Sequence, residues 1–464
     1  MRGFRYLPMS FDLLPDPINP ETERGLDEAN LEETAVIVVQ GRAKRSLLTA
    51  AGEYLIFVYL LCSAFILYLP HLPGPDVNPV NIISILLYLI AAIRSIWCRG
   101  TGLLNLRLAF WLMVATAIVA SLSNPVLDVF HEVCVLLTFL SMFIILKSGD
   151  ARTTMRKWMQ RLLYMGILQG LVAIGIFWTW IPAPELTGIH AFNGERTGYI
   201  IDGMFGLLSE LSGFWMLSAY QGRRSVVLSF TGIIMGVVNA VLSGYRSYAV
   251  AAAFVFVVFF AWTIRRKDWR LVVIQTMIGA ALILVSLVDP TNRIEVMHQR
   301  ILGVREYDPS LTWRQLESEQ ERYVIRQSPW TGSGWGLADR MRVSYLGDMP
   351  SYGHDYYTAF PARIGIPLTL YLSLSWMALG VAAVRRLRTC TDGETLATAW
   401  YVLTITCMVI GVSVVQNVAI MSRAFPLIAI FAVNMFKVDE VQSSEGDQAP
   451  TSRPYVDVGA YSTS

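Results

Sequence analysis

A succession of apolar runs, each close to the length of a membrane-crossing helix, constrains this chain more than any other feature. A hydrocarbon layer about 30 Å thick is crossed by roughly 20 helical residues. Only a helix or a closed barrel satisfies its backbone hydrogen bonds there. The runs fall at 47–69, 80–98, 103–122, 126–146, 162–181, 199–220, 225–243, 247–264, 271–288, 364–384, 396–416 and 424–436. They predict an all-α polytopic membrane protein of about twelve transmembrane helices, with one long extracytoplasmic loop bearing short helices. Only 16% of residues are charged, against about 25% in soluble domains.

Orientation follows from where the basic residues fall. Alternate connections carry Arg42, Lys44 and Arg45; Arg99; Lys147 to Arg161; Arg223 and Arg224; Arg265 to Arg270; Arg385 to Arg388; and Lys437. The other short connections carry Arg196, Arg246 and Arg423 singly, or nothing basic. The positive-inside bias places the first set, and both termini, in the cytoplasm. The 289–363 loop then faces outward. Residues 1–46 lack an apolar h-region and read as a cytoplasmic tail, 47–436 as the membrane domain, and 437–464 as a disordered cytoplasmic tail. None of the five cysteines lies in the long loop, and neither a disulfide framework nor a metal site is indicated.

The long loop has an order of its own. Asp308-Pro309-Ser310 opens a helical pattern with Ser310 as cap. Trp313, Leu316, Tyr323 and Val324 recur at helical spacing, leaving Arg314, Glu317, Glu321 and Arg322 for other faces. Ser328-Pro329 ends that helix. Gly332, Gly334 and Gly336 follow, and glycine lets backbone approach a neighbour closely.

Several ionisable residues admit two readings. Arg246, at the outer end of a span, fits interfacial snorkelling as well as an anion site. Arg314 fits an exposed pair with Glu317 as well as a ligand contact. Arg322 and Arg326 repel mildly at i, i+4 unless an anion lies between them. His354 suits a general base, or a histidine hydrogen-bonded within the loop. Asp128, His131 and Glu132 read as a wet rim, whereas Glu210 sits nearer mid-span.

In order along the chain, these features resemble the O-antigen ligase and polysaccharide polymerase family of bacterial cell envelopes. The resemblance is carried by Ser243-Gly244-Tyr245-Arg246, by Arg314 ahead of Pro329-Trp330-Thr331-Gly332-Ser333-Gly334, and by His354-Asp355 with Gly365 leading into the next span. It covers about 225–385. The sequence departs from the pattern at Asp355, where the family has Asn, and at Arg363, where it has an acidic residue.

The resemblance implies a metal-independent, inverting membrane glycosyltransferase of the bacterial inner membrane, needing no cofactor. The donor would be a glycan on a polyprenyl diphosphate. The acceptor would be a glycan or a lipid A core, with polymerase slightly favoured over ligase. His354 would be the base, and Arg246 and Arg314 would hold the leaving diphosphate. Arg196, Arg322, Gly332, Gly334, Asp355 and Tyr356 would line the substrate site. Partners would be the bilayer and other polysaccharide assembly and export proteins, with no nucleic acid. The competing class is a glycan transporter or flippase, for which charges or Gly/Pro breaks in paired halves are the usual signature.

Overall fold

The computed structural model describes residues 47–64, 79–97, 106–147, 151–178, 180–181, 202–219, 223–243, 245–287, 309–336, 353–390, 393–414, 417–433 and 435. Both expected tails and Arg196 lie outside the described residues. Among the described residues nine helices precede the long loop: α1 Leu47–Ala64, α2 Pro79–Trp97, α3 Leu106–Ser121, α4 Val126–Leu146, α5 Ala151–Phe177, α6 Gly203–Ala219, α7 Arg223–Leu242, α8 Arg246–Arg265 and α9 Trp269–Leu287. The loop carries α10, Pro309–Gln327. After it come α11 Tyr356–Thr389, α12 Gly393–Val412, the single turn α13 Val418–Met421, and a 3-10 turn at Phe425–Ile428. Among the described residues there is no strand.

Eight of these helices are long and apolar enough to cross a membrane, and α3 and the first part of α9 are shorter apolar helices. Helix lengths therefore establish a polytopic all-α architecture but not the expected count of twelve. The expected last span, 424–436, takes another form: the 3-10 turn at Phe425–Ile428 runs into helical backbone at 429–433, all of it buried. Pro426 at the start of that turn supplies no backbone N–H to a preceding helical turn.

Two helices are enclosed by the others. From Gly203 to Leu217 every residue of α6 is buried, and α4 is buried almost throughout from Glu132 onward. Glycine permits this at the α6–α7 contact. A Cβ on Gly206 would lie 2.4 Å from the Gly236 carbonyl, and one on Gly236 would lie 2.6 Å from that of Gly206. Small residues that bring helix backbones together do what the hydrophobic effect cannot do inside a bilayer. Leu89, Ile118, Val257 and Leu370 on the surrounding helices face outward.

The element that positions the site is a break in α11. Gly365 has φ 77° and ψ 164°, far from helical values. Pro367, four residues after Arg363, has no N–H to offer the Arg363 carbonyl. The glycine-rich segment after α10 repairs the damage. Ser333 N–H donates to Ala362 O at 2.8 Å, Gly334 N–H to Arg363 O at 2.8 Å, and Ile366 N–H to Pro329 O at 2.8 Å. Gly332 is obligatory for the fit, with φ 67° and backbone of Arg363 only 2.4 Å from where a Cβ would stand. The Pro-x-x-Gly-x-Gly run is thus the hydrogen-bonding partner of a broken helix. Gly365→Ala should lower the thermal stability of the detergent-solubilised protein by at least about 2 kcal/mol, because its backbone lies in a glycine-only region and its Cβ would strike Trp330 O. Melting at the wild-type temperature would refute this account of the junction.

Candidate active site

Arg363, two residues before the break at Gly365, is wholly buried. Its Nε donates to Glu132 Oε1 at 3.0 Å, and its Nη1 to Ala359 O at 3.0 Å and Glu321 Oε1 at 3.4 Å. Glu132 also accepts from Gly336 N–H at 2.7 Å, and Glu321 from the Thr358 hydroxyl. Charges taken out of water need this density of partners, since an unpaired one costs several kcal/mol. Two expectations change here. Glu132 is not a wet rim residue but one arm of a buried ion pair. The buried face of α10 is set less by its apolar residues than by Glu317 and Glu321, while Tyr323 is left 60% exposed. The Arg363 guanidinium draws Glu321 inward, and His354 holds Glu317.

The same acidic face holds the histidine. Glu317 stands one turn before Glu321 and is buried, and its Oε2 lies 2.6 Å from His354 Nδ1. The His354 backbone N–H points to the same oxygen at 3.4 Å. With Nδ1 committed to a carboxylate, Nε2 is the nitrogen left for another partner. Asp355 caps α11, its Oδ1 accepting from Tyr357 N–H at 2.9 Å. Burial pushes the Asp355 carboxyl above its ordinary range, against the Tyr357 hydrogen bond and the positive charge of Arg322.

Trp335 locks the segment to the membrane helices. It is wholly buried, its Nε1 donates to Thr116 Oγ1 at 3.1 Å, and its carbonyl accepts from the Asn124 amide. Its ring meets Phe360 edge-on at 5.7 Å. Trp335 is therefore a structural anchor and not a platform for sugars. Trp330, 77% exposed, and Tyr357, 47% exposed, keep surfaces free for stacking.

His354, Asp355 and Tyr356 lie at the start of α11, and Gly332 and Gly334 lie against Arg363 about two turns further along it. Arg314 lies one turn before Glu317 on α10 and is partly buried, whereas Arg322 lies on the exposed side of that helix. Arg246 begins α8, but its side chain lies outside the described part of the structure. Glu210 is a separate matter: it is wholly buried in α6, with neither carboxyl oxygen hydrogen-bonded among the described residues. Glu317, Glu321 and Glu132 are the members that sequence reading passed over. The spacing of Glu317 and Glu321 at i, i+4 on a helix bearing arginines is the signal available in the sequence.

Burial raises the Glu321 carboxyl from 4.5 to about 7, Arg363 opposing the rise. Between those values the folded protein holds a proton that the unfolded chain releases, so this group makes stability fall as pH rises through the window. Glu321→Gln should flatten that part of the pH–stability curve. Parallel wild-type and variant curves between pH 4.5 and about 7 would show the burial effect to be absent.

Comparison with known proteins places this geometry. Residues 230–384 match the family model described as O-antigen ligase. No curated protein matches the chain. The matched stretch contains Arg246, Arg314, the glycines at 332 and 334, His354 and the break at Gly365, while Glu132 lies outside it. By that match, residues 230–384 are similar to the O-antigen ligase family.

Proposed function

We propose that this protein joins a polyprenyl-diphosphate-linked glycan to a sugar hydroxyl at the outer face of the bacterial inner membrane, acting in surface polysaccharide assembly. The observation that carries the reading is the His354–Glu317 pair, a ring whose Nδ1 is held by a buried carboxylate beside the glycine-rich turn. The match over residues 230–384 supports the reaction class, glycan transfer of the ligase or polymerase type. The fixed ring suits a general base, because proton transfer needs a nitrogen in one orientation before it needs anything else.

In the proposed step the acceptor oxygen attacks the anomeric carbon while the bond from that carbon to the diphosphate breaks. The hydroxyl proton passes to His354 Nε2, and the carrier diphosphate departs from the opposite face, inverting the configuration. The ion pair with Glu317 compensates the charge that the ring acquires, as a carboxylate does in hydrolytic triads. Arg246 and Arg314 neutralise the departing diphosphate, with Arg196 and Arg322 as helpers. Guanidinium forks match phosphate oxygens bidentately. The energy resides in the carrier diphosphate, so neither a nucleotide nor a metal is invoked. Residues 47–436 form the catalytic domain, with about twelve spans and both termini cytoplasmic.

Polymerase is slightly favoured over ligase as the form of this transfer. Reconstitution with a polyprenyl-diphosphate glycan and alternative acceptors decides it. Lengthening chains on the carrier identify a polymerase, and a single transfer to lipid A core identifies a ligase. His354→Ala should reduce kcat by about 10³-fold, and Glu317→Gln by about 10²-fold with donor KM little changed. Wild-type turnover in His354→Ala would remove the base from the mechanism. Arg246→Lys and Arg314→Lys should each raise donor KM about tenfold, because an ammonium cannot grip two oxygens in a fork. Unchanged KM in both would eliminate the diphosphate clamp.

A further inference from the structure

The connector between α12 and the last buried turn, residues 413–424, has no part in the mechanism above, yet it touches both sides of the site. At one end Ser413 O accepts from Tyr356 N–H at 3.1 Å, two residues from His354. At the other end Asp202 Oδ2 accepts from Ser422 Oγ at 2.8 Å and from Ala424 N–H at 3.2 Å. Asp202 Oδ1 accepts from Met204 N–H at 2.9 Å. Tyr248, in the first turn of the helix that begins at Arg246, lies beside Asp202 and Ser422. The connector therefore runs from the histidine to the neighbourhood of Arg246.

Arg423 stands near the end of this connector. Its backbone is held from both sides, because Tyr59 OH donates to Arg423 O at 2.9 Å and Asp202 grips Ser422 and Ala424. Its side chain is not. The Nη1 atom is buried with no hydrogen-bond partner among the described residues. Asp202 is within electrostatic reach, but both its oxygens already serve other donors. Asn417, wholly buried on the same connector, also has no partner for its amide nitrogen or oxygen among the described residues. Buried polar groups are ordinarily satisfied, and two such groups on one short connector call for a partner beyond the described residues.

From this geometry we infer that Arg423 is a further diphosphate-binding residue, which holds the anionic headgroup of the donor from the 413–424 connector. The ligand's identity rests on the glycan-transfer reading above, whereas the site rests on the connector itself. Arg423 lies beyond the matched 230–384 stretch, so the family match does not assign it. A guanidinium suits the role, since it stays charged when buried and its planar fork matches phosphate geometry.

The test uses the full chain in nanodiscs of zwitterionic lipid. Binding of a sugar-free polyprenyl diphosphate is measured directly, with soluble pyrophosphate as competitor. Arg423→Gln should weaken carrier binding at least tenfold and raise donor KM in parallel, with acceptor KM unchanged. Arg423→Lys should recover part of the loss. Pyrophosphate should compete in the wild type and lose that ability in Arg423→Gln. Wild-type affinity in Arg423→Gln, or equal competition in both proteins, overturns the inference even if transfer proceeds normally. If carrier binding depends on Arg423 but no glycan is transferred, the transfer reading fails and the anion site stands. Should the glutamine variant not fold, Arg423→Lys decides: a threefold or greater loss of carrier affinity supports the site, and wild-type affinity rejects it.

Discussion

One buried guanidinium ties the polar loop to the apolar bundle. Arg363 reaches Glu132 on α4 and Glu321 on α10, elements that sequence separates by nearly two hundred residues. One positive charge cannot balance two carboxylates. The arrangement resolves this by raising the proton affinity of Glu321 to about 7, so that near neutrality the cluster carries little net charge. Breaking a buried pair by deleting one partner costs about 3–5 kcal/mol, whereas replacing the whole set with apolar groups is often neutral. The cluster is accordingly better understood as a device for placement than as a source of stability. It determines which face of α10 turns inward.

Once that face is chosen, the histidine follows. Glu317 and Glu321 are one turn apart, so the helix rotation that presents Glu321 to Arg363 also presents Glu317 to His354. The break at Gly365 supplies the other constraint. Carbonyls released from α11 demand donors, and the segment 329–336 provides them while Trp335 and Gly336 fasten it to α3 and α4. Charge and backbone hydrogen bonding thus orient the same few residues from two directions.

Much of the architecture was legible in apolar periodicity, because about twenty consecutive apolar residues have few structural outcomes. Helix starts at 79, 126, 246 and 393 lie within a few residues of the expected ones. Residues 425–433 are helical and buried by protein, and hydropathy does not distinguish burial by protein from burial by lipid. At the site, His354 and the glycines could be singled out from local pattern. The acidic residues could not. Glu132 pairs with a residue 231 positions away, and nothing local distinguishes it from a carboxylate at a wet helix end. Arg363 could be seen as a departure from the family pattern, but its two partners required the fold.

That separation has a consequence for how the chain is made. Glu132 enters the bilayer with α4, long before its counter-charge exists. Synthesis proceeds at about 5–20 residues per second, so the wait for Arg363 is on the order of tens of seconds. During this interval the carboxylate must be sheltered by water at the bilayer edge, by a proton or by a chaperoning partner. Completion of the early helices is therefore contingent on the arrival of the late ones. A ribosome that stops short of α11 leaves Glu132 without the guanidinium that pairs with it.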